Sequence, residues 1–461
     1  MGRSSRRYEM DMTNGPLLKQ IISFSLPLML TGILQLLFNA ADIVVVGQFR
    51  GKEALAAVGS TGALINLIIN VFIGLSVGAS VVVAQEYGAN QYRDVKQTIH
   101  TSVAVSLVSG VAVGLFGAIA AKPLLELMGT PEDVIDLAAL YMRIYFLGMP
   151  ATLLYNFCSA ILRAVGDTRR PLYYLSIAGV VNVLLNLFFV RVCGMSVDGV
   201  AIATVVAQCV SLALILICMM RSEGCLQLHW KEVRIQKDKL FKIAKVGLPA
   251  GLQGSLFSIS NVMIQSAVNS FGSTVMAGNA AAGNIEGFVY TSMNAVHQAA
   301  VTFTGQNMGA NRYDRLNKIL GACVMVVSII GVVMGVGGYL AGDLLLSFYN
   351  KEPAVIDIGK VRLFYVCLPY FLCGIMDVLV GSLRGMGRSV EPMLVSVIGV
   401  CGLRILWIQT IFAWNHNLEL LYASYPISWA VTALVHYICY VFIHKKIMSQ
   451  ARNLPDASLA K

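Results

Sequence analysis

Leu162-Arg163-Ala164-Val165-Gly166-Asp167-Thr168-Arg169-Arg170-Pro171 returns 221 positions later as Leu383-Arg384-Gly385-Met386-Gly387-Arg388-Ser389-Val390-Glu391-Pro392. A second run, Gly88-Ala89-Asn90-Gln91-Tyr92, returns at the same offset as Gly309-Ala310-Asn311-Arg312-Tyr313. Leu26-Pro27 returns as Leu248-Pro249 after 222. Unrelated motifs sharing one offset make the chain two copies of a unit of about 220 residues, a duplicated domain rather than a solenoid. In a membrane protein, duplication of this kind points to a transporter whose site lies between the halves.

Composition places the chain in a bilayer. Hydrophobic residues make up 57% and charged residues 13%, and mean hydropathy is +0.72, where a globular chain is about a quarter charged. Twelve apolar stretches are long enough to cross about 30 Å of hydrocarbon as helices. They are 20–46, 54–84, 97–121, 134–162, 171–192, 195–220, 241–271, 275–305, 317–342, 356–384, 392–414 and 419–444. The expected fold is therefore an all-α polytopic membrane protein, with twelve transmembrane helices in two pseudo-symmetric six-helix bundles. Six spans return the chain to its starting side, so the repeats are parallel. The implied divisions are a cytoplasmic segment 1–19, a bundle 20–220, a linker 221–240, a bundle 241–444 and a tail 445–461. The first apolar stretch leads into further spans and does not read as a cleavable signal peptide.

The net charge of +10 raises the question of nucleic acid, and its placement answers it. With both termini in the cytoplasm, 25 of the 34 Lys and Arg residues fall on cytoplasmic segments, as the positive-inside rule requires. The partners expected are a small-molecule substrate and the lipid bilayer, with the cell membrane as location, a monomer as assembly and no nucleic acid. The ten cysteines lack metal-ligand spacing and read as small buried hydrophobes.

Both long motifs fall where one helix ends and another begins. Gly166 and Gly387 suit the left-handed residue that ends a helix. Thr168 or Asp167, and Ser389, are candidate caps for the next helix, whose first turn takes Pro171 or Pro392. Arg163 and Arg384 complement the helix dipole. Gly88 and Gly309 look like helix stops; no Lys-Ser/Thr follows them, so no phosphate loop and no sign of ATP-driven pumping is present.

The repeat also serves as an internal control, because polar residues buried in one half alone need a reason beyond the shared fold. Asp42 has Ile264 as its counterpart, Asn182 and Asn186 have Leu403 and Trp407, and Thr204 has Tyr425. At 1.5 Å per residue, Asn182 and Asn186 lie roughly 17 and 23 Å into span 5, and Asp42 about 22 Å beyond Pro27. Thr204 is about 12 Å from the outer end of span 6. One carboxylate with amide and hydroxyl oxygens suits a proton or a hard monovalent cation, and the same residues could form an inter-helix hydrogen-bond knot. In the second half, Glu286 and Arg404 come out at similar depths, roughly 17 and 18 Å into spans 8 and 11, and are expected to pair. Glu286, Tyr290, Asn294 and His297 fall within an arc of about 80° and read as one wall of a cavity. A structural salt bridge is the alternative. Asp377, near the inner end of span 10, carries less weight because it can reach water.

With these residues in place, the chain resembles the multidrug and toxic compound extrusion (MATE) transporters, bacterial DinF-like branch, over about residues 16–445. The resemblance rests on the twelve spans, the two repeated turns, Asn284-Ile285-Glu286-Gly287-Phe288-Val289-Tyr290-Thr291-Ser292-Met293-Asn294, and Gly402-Leu403-Arg404-Ile405-Leu406-Trp407. It implies a V-shaped pair of bundles exporting a lipophilic, cationic substrate as Na⁺ or H⁺ enters, with no other cofactor. It also implies that Asp42, Asn182, Asn186 and Thr204 hold the coupling ion, and that span 1 bends at Pro27. Position 186 is commonly Asp in this branch and is Asn here, which leaves one carboxylate and weakens a sodium site. Two rivals remain at this level. A lipid-linked oligosaccharide flippase of the same superfamily would show extra spans or a more basic cavity. A membrane enzyme or receptor finds no catalytic motif.

Overall fold

Hydrocarbon offers backbone N–H and C=O groups no partner but each other, so each apolar stretch must close on itself as a helix. The computed structural model describes residues 8–452, apart from the side chains at 52, 55, 60, 63 and 452, and all regular elements among them are helical. The ends 1–7 and 453–461, assigned above to the cytoplasmic segment and tail, lie outside the described residues. Twelve long helical segments follow in order. They are α1 (Leu17–Gly51), α2 (Ala56–Gly88), α3 (Tyr92–Leu127), α4 (Glu132–Leu147 with Met149–Ala164), α5 (Arg169–Val192) and α6 (Val197–Arg221). Then come α7 (Lys237–Asn269), α8 (Ser273–Gly309), α9 (Tyr313–Leu340), α10 (Pro353–Gly385), α11 (Val390–Phe412) and α12 (Leu418–Ala451).

Each of the twelve expected stretches falls on one of these helices. Nine are apolar enough to span a membrane by themselves, and α4 makes ten when its two arms, bent by 49°, are taken together. The exceptions, α7 and α8, are long at 33 and 37 residues. Lysines crowd the first turns of α7, and α8 is built largely from Gly, Ala, Ser, Thr and Asn with Glu286 and His297. Small residues let backbones approach, and α8 is buried along much of its length, whereas α7 keeps an exposed apolar face that includes Leu248, Leu252 and Val262.

The described chain forms two units. One comprises residues 8–11 and Ser23–Ser258, the other Met12–Ile22 and residues 259–452. The first part of α7 thus packs in the first unit, where the sequence reading opened the second bundle at 241. Glycines explain the attachment. A Cβ on Gly74 would lie 2.2 Å from the backbone nitrogen of Gly251, and one on Gly78 would lie 2.3 Å from the carbonyl of Ile243. Asn70 Nδ2 adds a bond to Ser258 Oγ at 3.1 Å. At the start of α7, buried Lys239 donates to Glu86 Oε1 and Asp94 Oδ1, each at 2.7 Å, and Thr98 donates to Glu86 Oε2 at 2.6 Å.

The doubled motifs are doubled turns. Gly166 and Gly387 take φ of 95° and 79°, and each turn closes with the same bonds, Asp167 N to Leu162 O and Arg388 N to Leu383 O. Asp167 accepts from the backbone N of Arg170 at 3.1 Å and so caps α5. Burial raises its carboxyl above the usual carboxylate range, with Arg170 working in the opposite sense. Ser389 departs from expectation: its hydroxyl makes no cap bond to α11. In the second motif the helices do end at Gly88 and Gly309, but the left-handed residues are Asn90 (φ 57°) and Asn311 (φ 56°). Asparagine tolerates that conformation because its short side chain bonds locally. Here Tyr92 Oη donates to Asn90 Oδ1 at 2.9 Å and Tyr313 Oη to Asn311 Oδ1 at 2.7 Å, which accounts for the Tyr that closes both copies.

The irregularities repeat as well. α4 bends at Gly148 beside Pro150, and α10 passes through a π turn at Leu363–Cys367 and a 3₁₀ turn at Leu368–Tyr370 that contains Pro369. Both α5 and α11 end in a π turn, at Phe188–Val192 and Ile408–Phe412. By contrast, α1 runs unbroken through Pro27, its only non-helical backbone lying at Gly51.

Candidate functional site

In the first unit, α1 and α5 meet along one seam. A Cβ on Gly179 would lie 1.8 Å from the Phe38 ring, so the missing side chain lets α5 settle against α1. Asp42 is one turn beyond Phe38, and Asn182 and Asn186 are three and seven residues beyond Gly179, on the same face. That seam joins the residues singled out from the sequence. Asn186 Nδ2 donates to Asp42 Oδ1 and, at 3.2 Å, to Asn182 Oδ1. Asn182 Nδ2 donates to Thr204 Oγ1 of α6 at 3.4 Å, and Thr204 in turn donates to the Val200 carbonyl at 3.0 Å. Beyond the cluster, Arg50 Nη2 donates to Val190 O at 2.6 Å, tying the end of α1 to the π turn of α5.

Asn182 and Asn186 are buried and Asp42 is half-buried. Asn186 Oδ1 is buried with no hydrogen-bond partner, and an orphaned carbonyl oxygen in such a place carries a desolvation penalty. Together with the carboxylate of Asp42, the Asn182 carbonyl oxygen and the Thr204 hydroxyl, it makes four oxygens from three helices. Oxygen donors of this kind suit a hard cation. The set carries one formal charge, that of Asp42, and among the described residues there is no group of three or more His, Cys, Asp or Glu that could hold a metal ion. Pro27 is buried lower on α1, and its carbonyl accepts from Thr31 Oγ1 at 2.7 Å.

The second unit corrects one expectation. Glu286 does not pair with Arg404. It is held bidentately by Arg362 of α10, with Nε to Oε1 at 2.8 Å and Nη2 to Oε2 at 2.7 Å. Arg362 also donates to Asn279 Oδ1, which accepts from Tyr422 Oη at 3.1 Å, while Asn279 Nδ2 donates to Gln265 Oε1 at 3.1 Å. Equal rise along two helices fixes depth but not the direction a side chain faces. Arg362, not singled out from the sequence, reaches Glu286 from a facing helix. Arg404 instead donates from Nε to Ser428 Oγ at 2.9 Å, and its guanidinium sits 4.2 Å from the Tyr425 ring and 5.5 Å from that of Trp429.

The polar stripe of α8 divides. Its ends are closed: Glu286 by Arg362, and His297 by an Nδ1–H bond to the Asp377 carbonyl at 2.6 Å. Its middle is open, with Tyr290 39% exposed and stacked on Tyr370 at 6.4 Å, and Asn294 half-buried. Among the described residues no Lys, Arg or His nitrogen lies within 4.0 Å of the Asp377 carboxylate, and Arg384 is the charge that acts on it from farther off. The sequence reading gave Asp377 little weight; a signal was present in its position two turns before Arg384 on one face of α10.

A duplicated set of six helices with turns matched residue for residue, and intramembrane polar clusters that differ between the copies, defines a polytopic membrane transporter. The MatE family's sequence model matches residues 27–188 and 249–408, one stretch in each repeat, and the chain belongs to the MatE family. YoeA of Bacillus subtilis, a probable multidrug resistance protein, is 29% identical over 435 residues, 92% of this chain and 93% of that one. An FAD transporter of Shewanella oneidensis is 24% identical over 400 residues, 86% of this chain and 87% of that one. Among solved structures, a MOP superfamily transporter from Pyrococcus furiosus, whose reverse polarity of binding pocket is said to suggest a different function, matches with a TM-score of 0.90. It is 20% identical and covers 97% of this chain and 99% of that one, a likeness of fold. The family and these relatives are transporters, not enzymes.

Proposed function

We propose that the protein is a secondary antiporter that exports lipophilic, cationic small molecules in exchange for Na⁺ or H⁺. The observation that carries this reading is the Asp42–Asn186–Asn182–Thr204 cluster, with its single carboxylate and the unpartnered Asn186 Oδ1. A cation or proton at Asp42 neutralises the one charge of the seam. The coupling ion then drives transport only by binding one access state more tightly than the other, because equal affinity shifts no equilibrium. Pro27, which cannot donate a backbone bond, is the place where α1 can bend between those states. Having one acid where a two-acid site would bind Na⁺ more tightly favours protons or a weak sodium site. The protein acts as a monomer in the cell membrane with both termini in the cytoplasm, as the distribution of Lys and Arg supports.

The test is uptake of a fluorescent lipophilic cation into inverted vesicles under a pH gradient alone and a Na⁺ gradient alone. At least one gradient should drive uptake, and Asp42→Asn should abolish it while the purified variant stays folded. Undiminished uptake by Asp42→Asn would remove Asp42 from the coupling role.

A further inference from the structure

Arg404 is a cation in the interior of the second unit with nothing negative beside it. It is 4% exposed, and no carboxylate oxygen lies within 4.0 Å of it among the described residues. Nε is bonded to Ser428, while Nη2 is buried and has no partner. What holds the guanidinium is aromatic. Tyr425 covers one face, Trp429 lies beyond, Trp429 stacks on Tyr370 at 5.1 Å and Tyr370 on Tyr290 at 6.4 Å. Ring faces stabilise a desolvated guanidinium in part, but a buried N–H without an acceptor is left at a loss. Tyr425 is the repeat counterpart of Thr204, so the position that meets the Asn182 amide in the first unit meets an arginine in the second.

We infer that this part of the second unit is an anion site, taking the carboxylate of a flat aromatic acid. Arg404 Nη2 would donate to the carboxylate, and the row of rings from Trp429 to the half-exposed Tyr290 would receive the apolar body. Guanidinium and carboxylate match in shape as well as charge, and aromatic rings stack on aromatic rings. Glu286 does not compete, because its carboxylate is fully taken by Arg362. The site goes beyond the antiport reading and does not rest on it: it widens the substrates to acids and zwitterions, and Asp42 has no part in it.

Three probes of one shape test the inference on the purified full-length protein in detergent: 2-naphthoate, 2-naphthylmethanol and 2-naphthylmethylammonium, with binding read by calorimetry. The wild type should bind naphthoate at least tenfold more tightly than the alcohol or the amine. Arg404→Gln should reduce that preference to about one, and Arg404→Lys should keep part of it. Quenching of tryptophan fluorescence by naphthoate should fall in Trp429→Phe while binding persists. Should Arg404→Gln fail to fold, the wild-type charge preference and the Trp429→Phe quench still decide the matter. Equal or tighter binding of the alcohol or amine, an unchanged preference in folded Arg404→Gln, or an unchanged quench in Trp429→Phe would each overturn it.

Discussion

Replacing Arg362 by Met should loosen the second unit severely, and the size of the effect can be worked from its contacts. The guanidinium makes two bonds to Glu286, one to Asn279, and lies 5.6 Å from the rings of both Tyr422 and Tyr425. Without it, Glu286 is left as a carboxylate only 4% exposed. Removing one partner of a buried pair costs about 3–5 kcal/mol, chiefly through the charge left behind. For a unit of this size, each kcal/mol moves the unfolding midpoint by about 2–4 °C, so a fall of about 6–20 °C is expected. Glu286→Leu should do comparable harm. Arg362→Met with Glu286→Leu removes both charges, and its loss should be smaller than the sum by about 2–3 kcal/mol, as for residues in contact. The assay is the fraction of purified protein still monodisperse after heating in detergent, taken over a temperature series. Additive losses for that pair, or coupling of Glu286 with Arg404 in its place, would refute the pairing.

Two smaller perturbations address the frame around the first cluster. Gly179→Ala puts a Cβ into the Phe38 ring and should cost about 1–3 kcal/mol as overpacking; adding Phe38→Ala should recover part of it, seen in the same heating assay. Asn90→Ala keeps the left-handed turn but loses both the residue suited to it and the Tyr92 bond, for about 1–2 kcal/mol. Asn90→Gly should cost less than Asn90→Ala; the reverse order would show that the turn is not what Asn90 provides.

Most of the fold was legible because membrane helices announce themselves by length and apolarity, and because the repeat supplied its own alignment. Asp42, Asn182, Asn186 and Thr204 were legible as a cluster for a related reason: their counterparts Ile264, Leu403, Trp407 and Tyr425 are bulky and largely apolar, and the four lie at neighbouring depths. Glu286 shows where that reasoning stops. Depth selected Arg404 for it, and only the azimuth of α10 against α8 brings Arg362 there instead. The left-handed Asn90 and Asn311 were hidden behind neighbouring glycines, which propensity favours for such a turn. Tyr92 and Tyr313, repeated without evident cause in the sequence, gain their reason only when the hydroxyl is seen on the Asn side chain. The allotment of the first part of α7 turned on Gly74, Gly78, Gly247 and Gly251, whose spacing is visible in the sequence but whose partner is not.

The π turns at Phe188–Val192 and Ile408–Phe412 stand 220 residues apart, one ending α5 and the other ending α11. A widened turn is an uncommon departure from the helix and recurs at functional places, and two independent origins at matching positions are improbable. The widened turn is thus a feature of the repeated unit itself. Asp42, Asn182 and Asn186 have Ile264, Leu403 and Trp407 as counterparts in the other copy, so their cluster is no part of what the copies share. One helix of the first unit thus joins the common to the particular: a place to yield at its end that the copies share, and a turn below it, a chemistry the sister copy does not.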